Sequence, residues 1–339
     1  MSMEGISTSF VISPPAKATA PRRSLGPRAI LTASAPFIAT SIALAIDRLP
    51  SHQTSLPSHL YPLLLKFTLG LALAALLLQL GSALVRTWFA PKAPLLAAFI
   101  LLLAFWDLIT LKLALMPLPY FPGPDLVIQN LVDNWRMLAT CTGYSLLLLF
   151  VGFAVGSISG VFCGVLIGWS IRFRYWGMPV LKVLGPIPAT ALVPLALMLF
   201  PTAFISGTSL IALAVWFPVT MLTASGIANV RVSYLDVART LGAGRVFLIF
   251  RVAIPAAMPS IFIGLFMGLG ASFLTLIVAE TVGVRSGLGW YLAWAQQWAD
   301  YGKVYAVIVI MAFFFSGLMT LLFKLRDRVL VWQKGVIKW

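Results

Sequence analysis

Few residues in this 339-residue chain have side chains and spacings that could do chemistry. The histidines, His52 and His59, stand seven apart in one short polar segment, the pattern of a solvated loop rather than a metal site. Cys141 and Cys163 fall in one apolar run, too far apart for a C-x-x-C metal or redox pair, and read as buried free thiols. No H-E-x-x-H, G-x-S-x-G or Cys/His array occurs. No G-x-x-x-x-G-K-[ST] occurs either, so the chain has no loop of its own to hold ATP phosphates. If ATP drives this protein, another polypeptide hydrolyses it. What remains is a handful of polar residues set in apolar sequence: Glu280, Asp107, Lys112 and the arginines 239, 245 and 251.

Composition says what must hold them. The chain is 60% hydrophobic and only 10% charged, with a formal net charge of +15 and a mean hydropathy of +0.99. Several runs reach the ~18 or more apolar residues that mark membrane helices. The basic excess lies in the tails and in short loops beside those runs, which is the positive-inside pattern and sets nucleic-acid binding aside.

Taken in order, residues 1–28 are rich in Ser, Pro and Arg without periodicity and read as a disordered basic cytoplasmic tail. Residues 29–86 read as a transmembrane hairpin, Ala29–Ile46 and Pro62–Val85. The first run also fits a signal peptide, with Arg22 and Arg23 ahead of it and Ala43-x-Ala45 as the cleavage site. An uncleaved span is the reading adopted, because the second run completes a hairpin. Further spans are expected at Leu95–Pro117, Leu138–Ser170, Val180–Phe200, Phe204–Ile227, Met258–Val282 and Val304–Phe323, with an external loop at Leu118–Met137. The class is all-α and polytopic, with about eight transmembrane helices. Every Arg/Lys-rich turn falls on one side if both termini are cytoplasmic.

The polar interruption Leu235–Pro255, LDVARTLGAGRVFLIFRVAIP, carries Arg239, Arg245 and Arg251 and so lies outside hydrocarbon. Gly242 and Gly244 break it into two short helices joined by a turn. Asp236-Val237-Ala238, then Gly242, then Val252-Ala253-Ile254-Pro255 resembles the "EAA" loop of ABC-importer permeases, E-A-A-x3-G-x9-I-x-L-P. Asp, Val, Val and Ile replace Glu, Ala, Ile and Leu of that pattern. From about Leu95 onward the chain is similar to the permeases for nitrate, sulfonate, taurine or bicarbonate. Two more segments carry the likeness: Gly185-Pro186-Ile187-Pro188-Ala189, and Ala279-Glu280-Thr281-Val282-Gly283 followed by Ser286-Gly287-Leu288-Gly289.

The resemblance implies a six-helix type I permease domain over 93–339, with coupling helices at 235–255 that dock on a separate ATPase. It implies a multi-pass protein of the cell inner membrane, a substrate-binding protein outside, and two permease copies around a path for a small, anionic solute. No cofactor is expected on this chain; ATP-Mg belongs to the ATPase. In that frame Gly242 turns the chain, Ala238 offers a small contact surface, Asp236 caps a helix or sits near its positive end, and Pro255 after Ile254 starts the next element. The first two helices depart from the plan of the family. An ion-gradient-driven transporter or channel would want more intramembrane acids than Glu280 and Asp107.

Other residues are read for packing or passage. Gly152, Gly156, Gly160, Gly164 and Gly168 form a slowly drifting stripe, and Gly264, Gly268 and Ser272 a shorter one. Small stripes let helices approach closely in lipid, either within one subunit or at a dimer seam. Pro186, Pro188 and Pro194 interrupt a membrane run, as a kink or as the lining of a path. Glu280 lies about 30 Å along its span, near the outer interface, as an outer gate or a structural partner, with Arg285 a candidate mate. Lys112 reads as snorkelling rather than as a good partner for Asp107. Trp290, Tyr291, Trp294 and Trp298 suit an interfacial belt or a re-entrant helix.

Overall fold

The structure, a computed structural model, describes residues 27–52, 59–81, 85, 88–284 and 286–332. Residues 1–26 of the tail, Arg285, Lys334 and Lys338 lie outside the described residues, and the last two residues of the tail already belong to a helix. Among the described residues the regular structure is helical. The chain divides into two compact units, 1–48 with 64–105, and 49–63 with 106–339.

The first unit holds α1 (Pro27–Asp47), α2 (Leu60–Gly81) from Leu64 on, and most of α3 (Ala93–Asp107). Its buried residues are mostly small: Ala33, Ala39, Ala43, Ala93 and Ala97. Pro36 inside α1 removes a donor, and Thr40 turns its hydroxyl back to the Pro36 carbonyl at 2.7 Å.

The second unit takes in residues 49–63 and resumes at Trp106, just before α3 widens into a π-turn, Leu108–Lys112. Buried Lys112 donates to the Leu49 carbonyl (3.0 Å) and the Ser51 hydroxyl (3.1 Å). It is therefore tied to the segment before α2 and does not snorkel. The expected external loop contains a helix, α4 (Pro124–Asp133), with Pro124 in its first turn, where no backbone donor is lost. Next come α5 (Trp135–Trp169), α6 (Ile171–Leu184), a 3-10 turn (Ala189–Leu192), α7 (Val193–Leu199) and α8 (Ala203–Ala228). After α9 (Val232–Thr240), α10 (Arg245–Phe247) runs through a π segment (Leu248–Ala253) into α11 (Ile254–Gly283). α12 (Leu288–Gln297) and α13 (Tyr301–Val329) complete the described chain.

α8 is the axis of this unit, gripped by α5 on one side and α11 on the other. A Cβ on Gly152, Gly160, Gly164 or Gly168 would strike Ile211, Val219, Thr223 or Ile227 of α8, and one on Gly156 the Ala212 carbonyl. Gly264 and Gly268 of α11 approach Val219 and Val215 from the other side. The long stripe is thus filled by a neighbour in the same chain, which leaves it no role at a dimer seam.

Six described helices are long and apolar enough to cross a membrane. α6 with the 3-10/α7 piece makes a pair bent by 80°, and Thr32–Asp47 is a shorter apolar helix. The expected single span Val180–Phe200 is therefore broken rather than kinked. Pro186 and Pro188 remove two donors in three residues, although Gly185 before them still holds helical angles, φ −57° and ψ −46°. Pro188 itself is extended, at φ −66° and ψ 130°. Pro194 sits harmlessly in the first turn of α7.

Candidate functional site

Three places carry the unusual residues. The first is the polar stretch after α8. The chain turns at Gly242, whose φ of +85° suits glycine and where a Cβ would meet nothing within 4 Å. The glycine is needed for backbone conformation, not for space. Only α9 is a free-standing short helix; the second expected piece is continuous with α11 through the π segment. Pro255 explains that segment: it cannot donate to the carbonyl four residues back, and its ring crowds it. The turn opens, and the Ile254 N–H donates to Ile249, five residues back. Pro255 thus sits in the first turn of α11, as expected, and the π segment joins that helix into a continuous rod of 38 residues, Arg245–Val282.

Asp236 is not the cap of α9; that position is held by Arg231, which makes no side-chain cap. It lies mid-helix and accepts from Arg239 at 3.0 Å, in a pair more than half exposed. Such a pair is worth on the order of tenths of a kcal/mol. Ala238 lies on the same helix, between Val237 (62% exposed) and Leu241 (83%). Across the turn Val246, Phe247 and Phe250 are also exposed. The stretch thus presents an apolar patch with arginine around it. A cleft of about 940 Å³ beside it takes Arg172, Arg174, Arg239 and Arg245 into its walls. Arg174 closes the end of α5, donating to Gly168 at 2.8 Å.

The second place is the broken helix. A cavity of about 360 Å³ opens there, lined by Ile187, Pro188 and Thr190 of the break, Trp216 and Phe217 of α8, and Ala271 and Thr275 of α11. No charged side chain lines it. Pro188 lines this cavity; Pro186 shapes the turn without lining it. Glu280 lies elsewhere, so the structure does not bring the three pathway candidates together.

The third place surrounds Glu280, which is fully buried. Burying a carboxyl is costly unless its oxygens are hydrogen-bonded. Here Oε1 accepts from the Ser145 hydroxyl of α5 at 2.7 Å, and Oε2 from the Gly289 N–H of α12 at 2.8 Å. Ser145 Oγ in turn accepts the Leu288 N–H at 2.9 Å. Gly287 has φ +122° and ψ 161°, and a Cβ there would run into the Glu280 carboxylate. A Cβ on Gly289 would meet the Ile277 carbonyl. The S-G-L-G spacing is therefore a cradle for this carboxylate at the start of α12. The carboxylate also faces the positive end of that helix. Arg285 lies outside the described residues. Ser145 was not legible in sequence, being one of several hydroxyls in a long apolar run.

α12 has ten residues, about 15 Å, too short to cross a bilayer. Its Tyr291 is buried against Leu138, Cys141, Val307 and Met311, while Trp298 is 71% exposed. Trp290, Tyr291 and Trp294 thus belong to a short helix packed among α5, α11 and α13, and Trp298 lies just past its end.

Residues 152–330 match the family described as binding-protein-dependent transport system inner membrane component, and the chain belongs to it. It is the multi-pass permease subunit of an ABC importer, whose ATPase is a separate subunit. Among its relatives, the aliphatic sulfonates transport permease SsuC of Bacillus subtilis (described as putative) is 35% identical over 56% of this chain and 66% of its own length. The nitrate import permease NrtB of Synechococcus elongatus is 28% identical, over 71% of this chain and 88% of its own. The taurine transport permease TauC of Escherichia coli is 30% identical, over 70% and 88%.

Proposed function

We propose that two copies of this chain enclose the path of a small acidic solute, and that the break at Gly185–Ala189 narrows that path. The observation that carries this is the cavity at the break. It reaches α8 and α11, the two helices that lead directly into the polar stretch. Irregular backbone inside a membrane is tolerated where protein buries it or where it lines a water-filled passage. The lining holds no carboxylate that would repel an acidic solute. It also fits the relatives, which are named for sulfonates, nitrate and taurine.

In this reading both termini and the stretch 235–255 face the cytoplasm, where the ATPase holds Asp236, Ala238 and Gly242, and Ile254 and Pro255 carry the coupling into α11, Ile254 packed against the cluster that holds Ile227 and Ala257. The binding protein meets the opposite face. Residues 93–339 form the permease domain and 29–86 an added hairpin in lipid. ATP binding closes the ATPases, the rods beginning at Arg245 move with them, and access switches between faces.

The test is uptake by vesicles holding the chain with its ATPase and binding protein. Ala271→Phe fills the cavity at a half-buried position. It is expected to cut uptake at least tenfold while ATP hydrolysis persists. Uptake unchanged by that side chain refutes the path, and uptake of neutral analogues as fast as acids refutes the solute class.

A further inference from the structure

We propose that the Glu280–Ser145–Gly289 cluster is a latch that lets the outer helix α12 report binding-protein docking to the ATPase. The inference rests on the orientation given above, with 235–255 inside and α12 outside. Three observations carry it. The rod Arg245–Val282 has 38 residues, about 57 Å at 1.5 Å per residue, so its two ends lie on opposite faces. Its first turns belong to the exposed polar stretch, and Glu280 lies in its last turn. Glu280 then joins the rod to the start of α12 through Oε2, and to α5 through Oε1 and Ser145.

Most other contacts of α12 are apolar packing, which tolerates sliding, with Lys303 Nζ 5.3 Å over the Trp294 ring. The latch is directional: one backbone N–H and one hydroxyl converge on one fully buried carboxyl, and a second N–H holds that hydroxyl. The cradle excludes any side chain at 287, because the positive φ and the carboxylate both forbid it. A tilt of α12 under a docking partner must therefore move the end of the rod or break these bonds. Just past the far end of α12 lies exposed Trp298, near Asp300, which caps α13 by accepting the Lys303 N–H at 3.2 Å. Movement of that end has a short path back to Glu280. Glu280 and Ser145 are positioning residues here; neither lines the cavity at the broken helix.

The experiment uses the whole complex in vesicles, comparing the parent with Glu280→Gln and Ser145→Ala. Glu280→Gln keeps volume but leaves one acceptor oxygen for two donors, the Ser145 hydroxyl and the Gly289 N–H. Ser145→Ala removes the strap to α5 and leaves the Gly289 bond. Both variants are expected to assemble and to keep basal ATP hydrolysis within twofold of the parent. Stimulation of hydrolysis by the binding protein, and uptake, are expected to fall at least tenfold for Glu280→Gln and severalfold for Ser145→Ala. Stimulation retained in both variants overturns the latch, and so does basal and stimulated hydrolysis falling together. The orientation is checked separately with Trp298→Cys, which should react with an impermeant maleimide from outside only. Reaction from the cytoplasmic side defeats the orientation rather than the latch.

Discussion

At Gly242 the backbone sits at φ +85° with open space where a side chain would go. The two reasons for a glycine, room and conformation, are therefore separated at this residue. A β-branched residue there forces a left-handed turn at a cost of ~1–2 kcal/mol, whereas asparagine tolerates the conformation. Gly242→Val is expected to leave the protein in the membrane but uncouple hydrolysis from uptake, and Gly242→Asn to keep most uptake. Ratios of ATP hydrolysed to solute imported measure this. Equal ratios in both variants and the parent would remove the turn from the mechanism. Asp236 differs from its sequence reading at the same scale. The resemblance has it cap a helix or sit near its positive end, yet it pairs with Arg239 one turn on, because α9 starts early enough to place it mid-helix.

At the scale of elements, the glycine stripe was legible because glycines repeating every four residues along a helix in lipid serve close packing and little else. Its partner was not. Nothing in the sequence of α5 says that α8 rather than a second copy fills the groove. The grip is tight enough to test. Gly156 faces the Ala212 carbonyl, while Gly143, on the same helix, is exposed with nothing within 4 Å. Gly156→Leu is expected to abolish stable protein in detergent. Gly143→Ala should raise stability by ~0.5–1 kcal/mol through helix propensity alone. Thermal melts that rank the two variants the other way would refute the packing described. The prolines show where periodicity runs out. A window of hydropathy sees Val180–Phe200 as one apolar run, and only the two missing donors at Pro186 and Pro188 reveal an 80° break. The short α12 was half legible: its aromatics stood out in the sequence, but its ten-residue length and its hold on Glu280 depend on long-range contacts.

For the whole molecule, α8 stands between two glycine-bearing helices, and the polar stretch joins α8 to the rod. Motion of that stretch is therefore delivered to the helices that line the cavity at the break. The membership of the family was legible from the E-A-A-like spacing and the S-G-L-G segment, since both need particular backbone turns that tolerate few residues. The two N-terminal helices carry no such turn, and their composition says only that they suit lipid. The most direct test is the accessibility of Leu241, the most exposed of the apolar side chains that crown the polar stretch. In inside-out vesicles Leu241→Cys is expected to react with an impermeant maleimide, and to lose at least tenfold in rate when the ATPase is bound. Reaction only from the outer face, or a rate indifferent to the ATPase, would contradict a cytoplasmic polar stretch held by that subunit.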